Sequence, residues 1–327
     1  MNQIELGNTG LRAPQIGLGC SAILGRSGRA DSLLALSTAW DQGIRFFDTA
    51  RSYGYGESEA LLGEFLAGRR HQAVIATKFG ILASRQPAWK QLAKSVARKA
   101  LTMAPAARAI LQKAASTQFS HNQFTPSILQ ASIEESLRKL KTDYVDILFL
   151  HAAPAGVLEQ HDLMDAMGRL VEQGKVRVTG ISAEPDVVEL AVQRQVPPLQ
   201  AVQFPCNVFN ISSGGAFPSW NERGWLLVAN QPFGGPARVR QCREILLKLV
   251  QNRSLDAALC EKLGTLNDGV FADIVLNVIL RNSGIHVVIP AMMRPEHIRA
   301  NVQAVANSRF DAQQIATIRQ SLASNIA

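Results

Sequence analysis

The chain has 327 residues, 47% of them hydrophobic and 18% charged, which is a globular composition with enough length for two average domains or one α/β barrel. No apolar run is long enough to cross a bilayer, the stretch Phe271–Leu280 being about half the length needed, and the amino terminus has neither the basic start nor the apolar core of a signal peptide. The expected location is the cytoplasm. The net charge of +8 would suggest a nucleic-acid or membrane partner if it were spread over the chain. It is not: residues 81–124 hold Arg85, Lys90, Lys94, Arg98, Lys99, Arg108 and Lys113 with no Asp or Glu, which is +7 of the +8. The four cysteines, Cys20, Cys206, Cys242 and Cys260, have no paired spacing and no neighbouring His cluster. They read as small buried hydrophobes, and no metal site or disulfide is expected.

The first element is a hairpin signal. Gly7-Asn8-Thr9-Gly10 separates two short strand-like runs, and such a hairpin could plug the bottom of a barrel. Eight strand candidates then follow in chain order, at 16–19, 44–47, 73–77, 145–150, 176–182, 199–204, 225–230 and 286–290. Most are rich in Val, Ile and Leu without polar alternation, as in strands buried on both faces. Helical patterns lie between them. The stretch from Thr125 opens with Thr-Pro, a cap and first-turn pair, and carries Glu134 and Glu135 ahead of Arg138 and Lys139. Strand and helix alternating eight times predict a (β/α)8 barrel, one domain over 1–327, with residues 81–124 inserted after the third barrel strand. An open doubly wound sheet is the alternative, but no G-x-G-x-x-G follows the first strand.

Barrel chemistry collects at the carboxyl ends of the strands. Strand two ends at Asp48, and its loop carries Tyr53; strand three ends at Lys78; strand four ends at His151. Each alone has a bland reading: a helix cap, a packed ring, a solvated cation, a structural imidazole. Together they face one mouth from three neighbouring strands.

The stretches "FFDTARSYGYGESEALLGEFL", "ATKFG", "SIEESLRKLKTDYVDILFLH" and "EQGKVRVTGIS" resemble the aldo-keto reductase superfamily in order and spacing, over nearly the whole chain outside 81–124. The resemblance implies a nicotinamide-dependent carbonyl reductase, or an alcohol or sugar dehydrogenase in reverse, with Asp48, Tyr53, Lys78 and His151 as its catalytic set. The chemistry suits the residue types. A phenol titrating near 10 is a sluggish proton donor, and a neighbouring ammonium is expected to lower its pKa. Asp48 would hold Lys78, and His151 would orient the carbonyl oxygen.

For the cofactor, the resemblance implies contacts from Ser182, Gln203, Asn230, Pro232, Gly234, Pro290, Arg294 and Asn301. It favours NADPH over NADH, with Arg294 as the guanidinium for a 2′-phosphate. Three departures stand out. Ala183 replaces an Asn that grips the nicotinamide amide. Asn230 stands where an aromatic stacks on the ring, leaving either its amide face or Phe233 to compensate. Met292, Met293 and His297 stand where polar or basic residues are common. These departures sustain a rival reading, a non-catalytic nicotinamide-sensing barrel that docks a protein partner. The basic segment has three readings: a helical hairpin over the barrel or at a subunit contact, a lid attracting an anionic substrate, or a dock for an acidic partner, a membrane surface or, least of these, nucleic acid. A small-molecule carbonyl substrate is expected, and no nucleic acid. Whether the chain forms a homo-oligomer stays open.

Overall fold

A computed structural model describes residues 1–25, 27–83, 119–211, 216–281 and 283–326. Strands β1 (Ile4–Glu5) and β2 (Arg12–Ala13) pair antiparallel as the expected hairpin. Gly7 turns it with φ +58°, and a Cβ there would lie 2.6 Å from the Gly224 carbonyl oxygen. Only glycine allows both the conformation and the approach. The Asn8 N–H donates to that same carbonyl. Leu6, Leu11 and Ala13 are buried among interior side chains such as Phe46, Leu226 and Val228, so the hairpin closes the amino end of the barrel.

Eight parallel strands follow: β3 (Leu18–Gly19), β4 (Phe46–Asp48), β5 (Val74–Phe79), β8 (Val145–His151), β9 (Val176–Ser182), β10 (Leu199–Pro205), β11 (Leu226–Asn230) and β12 (Val287–Ile289). They are ordered as in the chain, and a parallel bridge between Ile16 and Val288 brings the first against the last. All eight expected strands are present, shifted by a residue or two at their ends. The expected (β/α)8 architecture is therefore borne out.

Alternation along the strands sorts two cores. Phe46, Val74, Ala76, Ile147, Phe149, Val178, Ala201 and Val228 fill the barrel interior. Phe47, Ile75, Leu148, Ile181, Val202 and Leu227 pack outward under the helices. Gly180 belongs to the inner row, where a Cβ would meet the Ala201 carbonyl oxygen at 2.3 Å and the Phe149 ring. The inner parity, carried one step further, ends at Asp48, Lys78, His151, Ser182, Gln203 and Asn230. A period of two thus delivers six polar side chains to one end of a barrel whose interior is otherwise apolar.

The helix Pro126–Leu140 begins as read, Thr125 accepting from the Ile128 N–H with proline in the first turn. Between β5 and that helix, β6 (Leu82–Ala83) and β7 (Phe119–Ser120) pair antiparallel. The helical hairpin that is one reading of the basic segment falls outside the described residues. All four cysteines are free thiols, three of them buried. Among the described residues no helix is long and apolar enough to cross a membrane.

Candidate active site

Asp48 ends β4, and the chain turns at once. Thr49 donates its N–H to the Ala76 carbonyl and its side chain meets Ser58, while Tyr53 donates its N–H to Ala50. Beneath this loop Glu59, 1% exposed, accepts from Thr77 Oγ1 at 2.7 Å and faces Arg51 at 3.5 Å. These contacts pin the loop between β4, β5 and the helix Ser58–Phe65, which fixes where Tyr53 can stand.

Lys78 Nζ donates to both Asp48 oxygens at 2.6 Å and to the Thr49 carbonyl at 3.0 Å. The pair is almost wholly buried, Lys78 1% and Asp48 3% exposed. A buried charge persists only when paired and hydrogen-bonded, and the Asp48 carboxylate and the Thr49 carbonyl do both for this ammonium. Its nitrogen lies 5.0 Å from the centroid of the Tyr53 ring. His151 stands edge-to-face with that ring, centroids 5.8 Å apart. The four residues read from the strand ends therefore come together in one cluster.

The titration behaviour differs from expectation at Tyr53. Burial pushes its phenol above the ordinary value near 10; Lys78 pulls the other way but does not prevail. The ammonium was expected to dominate, but that expectation left out desolvation of the phenolate, which acts first here. Burial lowers His151 to about 3, with Lys78 adding to the effect, so its ring is neutral at neutral pH. Its Nδ1 is buried with no hydrogen-bond partner. In this state the cluster offers a protonated phenol and a neutral imidazole side by side.

Above them opens a cavity of about 420 Å³. Tyr53, His151, Ser182, Gln203 and Asn230 all border it. Two of its residues, Ala152 and Gln231, follow β8 and β11 directly and hold φ near +50° without being glycine. Left-handed non-glycine residues cost energy and cluster at functional sites. The wall includes Asn122, Glu184 and Asp186, which the sequence reading did not single out. Glu184 and Asp186 had a signal, being polar residues next to the end of a barrel strand. Asn122 had none, because its place depends on how the chain returns after residue 118.

The cofactor residues expected from the resemblance divide into two groups. Ser182, Gln203 and Asn230 share the cavity wall. Asn230 Oδ1 is buried and unpartnered. Phe233 instead stacks on Phe271, ring centroids 6.3 Å apart, so of the two candidates Asn230 is the one bordering the cavity. Pro232, Gly234, Pro290, Arg294 and Asn301 are not part of that wall. Gly234 lies beside Arg238, in the first turn of the helix Pro236–Gln251. The Pro290 carbonyl accepts the Gly19 N–H, and Asn301 Nδ2 donates to Met292 Sδ, both residues being buried. Arg294 is exposed and precedes the helix Pro295–Ala306.

The pattern of the Aldo/keto reductase family matches residues 15–323. The chain belongs to that family. Over 215 residues it is 30% identical to the aldo-keto reductase YhdN of Bacillus subtilis, a match covering 64% of this chain and 55% of YhdN. It matches two further curated relatives over 59% and 54% of their lengths, so these alignments span little more than half of each. A longer match, 24% identical over 350 residues, joins 99% of this chain to 98% of the NADH-specific methylglyoxal reductase of Escherichia coli. Among solved structures, the aldo-keto reductase AKR11C1 of Bacillus halodurans in its holo form superposes with a TM-score of 0.72 at 20% identity, covering 100% of this chain and 96% of that one. This family's barrel is therefore the fold.

Proposed function

We propose that the protein is a nicotinamide-dependent carbonyl reductase with Tyr53 as its proton donor. The observation that carries the reading is the buried Asp48–Lys78 pair set against a phenol and a neutral imidazole at the cavity floor. Ser182, Gln203 and Asn230 fit a carboxamide, which both donates and accepts: Asn230 Oδ1 is a buried acceptor without a partner, and Gln203 keeps one N–H uncommitted. A reduced nicotinamide bound there would supply the hydride. Charge then grows on the substrate oxygen, which His151 holds through a neutral N–H and Tyr53 protonates. Lys78 steadies the phenolate left behind, and Asp48 keeps Lys78 charged and in place.

A phenol whose pKa is raised is protonated at neutral pH, the form a proton donor to a carbonyl oxygen needs. NADPH is the proposed cofactor, resting on the resemblance and on Arg294, an exposed guanidinium that no described ion pair engages. The substrate is a small polar carbonyl compound. The cavity's described lining includes the carboxylates Glu184 and Asp186 and no Lys or Arg, so a neutral or cationic compound suits it better than the anionic one suggested by the net charge. The location we propose is the cytoplasm.

The test is titration of the purified protein with NADPH and NADH, followed by quenching of Trp fluorescence, then assay of bound cofactor oxidation against small aldehydes. Tight binding of either and turnover of an aldehyde is the expected result. Binding of neither at millimolar concentration would overturn the reading.

A further inference from the structure

The bonds that hold Lys78 do not stop at Asp48. Gln203 Nε2 donates to Asp48 Oδ1 at 2.8 Å, and Ser182 Oγ donates to Gln203 Oε1 at 2.8 Å. A carboxylate can only accept, so the nitrogen of this amide must face Asp48 and its oxygen Ser182. Both residues are buried, Gln203 1% and Ser182 6% exposed, yet both border the cavity. A continuous path of hydrogen bonds therefore runs from the cavity wall through Ser182, Gln203 and Asp48 to Lys78, which lies against Tyr53.

The path has a consequence for the proton donor. Oδ1 of Asp48 is shared between Gln203 and Lys78, at 2.8 and 2.6 Å. A buried carboxylate that loses one donor leans harder on those that remain. Without Gln203 the carboxylate would draw the Lys78 ammonium toward β4. Less positive charge would then reach the Tyr53 oxygen. The Gln203 amide also keeps a second N–H and a second lone pair for a ligand in the cavity. Engaging them polarises the bond to Asp48, because linked hydrogen bonds reinforce one another in a low-dielectric interior.

We propose that Gln203 and Ser182 are positioning residues. Through Asp48 they set Lys78 against Tyr53, and through Gln203 a carboxamide bound in the cavity is felt at the Tyr53 hydroxyl. The first half stands on the geometry alone; the second rests on the proposed cofactor.

The test labels tyrosine at Cζ with 13C. The chain has three tyrosines, Tyr53, Tyr55 and Tyr144, so the spectrum is simple and Tyr53→Phe assigns it. In cofactor-free protein, Gln203→Met should displace the Tyr53 resonance and raise its titration by about one pH unit, the effect of one charge-assisted bond on a neighbouring acid. Ser182→Ala should move it less, in the same direction. NADP+ should shift the wild-type resonance by more than that of Gln203→Met, the remainder being the direct effect of a ring bound in the cavity that Tyr53 borders, and the alkaline limb of the kcat profile should follow the resonance. A Gln203→Met protein that binds NADP+ more weakly but keeps the wild-type Tyr53 resonance and pH profile overturns the proposal, since Gln203 would then be a ligand grip alone. If Gln203→Met does not fold, Ser182→Ala decides, and an unmoved resonance there has the same meaning. If the wild type binds neither NADP+ nor NAD+, the reductase reading fails by itself, and the cofactor-free spectra still decide the positioning role.

Discussion

The two halves of the barrel mouth are built differently. On the side of β4 and β5, Asp48 and Lys78 are buried and bonded to each other and to Thr49 and Gln203. On the side of β11 and β12, Asn230 Oδ1 has no partner, Asn301 settles for a thioether, and Arg294 stands in solvent. Groups that transfer a proton must be fixed before the ligand arrives, since reorganising them during the reaction would cost rate. Groups that hold a ligand are completed by it. One half is a finished ion pair; the other is a set of open valences.

The sharpest way to break the comparison is to remove the ion pair. Lys78→Met leaves Asp48 buried and uncompensated, at a cost of about 3–5 kcal/mol in denaturant unfolding, partly recovered in Asp48→Asn/Lys78→Met. Equal stability of wild type and Lys78→Met would mean that the pair is not buried as described. Next in size is Tyr53→Phe. It should lower turnover about a thousandfold while cofactor affinity changes less than about twofold, because general acid catalysis lies within that range and the ring remains. An active Tyr53→Phe protein would end its role as proton donor. Arg294→Ala works on the open half. NADPH should bind about tenfold more weakly and NADH almost unchanged, as lost charge-assisted bonds to a phosphate imply; equal effects on both would move the 2′-phosphate elsewhere.

The smallest effect is on stability against pH. Burial lowers His151 to about 3 and His286 to about 4. Above their ordinary pKa near 6.5 both states carry these rings neutral. Below it the unfolded chain takes up protons that the folded one refuses, so stability falls as pH drops from about 6.5 toward 4. Each ring contributes up to about 1.4 kcal/mol per pH unit. His286 accepts the Leu227 N–H on its Nδ1 far from the proton-transfer cluster, so His286→Gln should flatten part of this slope without touching the kcat profile. An unchanged slope would reassign it to other groups.

The sequence determined much of this on its own. Eight apolar runs with helical patterns between them allow few architectures besides a parallel barrel, because strands buried on both faces must be covered by helices. Asp48, Lys78 and His151 were legible because each ends such a run, and Tyr53 because it follows Asp48 by five residues within the stretch that carries the family resemblance. The open half was less legible. Phe233 and Asn230 lie three residues apart, and only packing against Phe271 decided which of them borders the cavity. Asn122 gave no signal, since its place depends on where the chain returns. The raised pKa of Tyr53 was out of reach as well: spacing can bring an ammonium near a phenol, but desolvation depends on everything packed around both. Local periodicity fixes which face a residue takes. Burial, charge balance and the sharing of Asp48 between Lys78 and Gln203 arise only when strands distant in the chain close into one barrel.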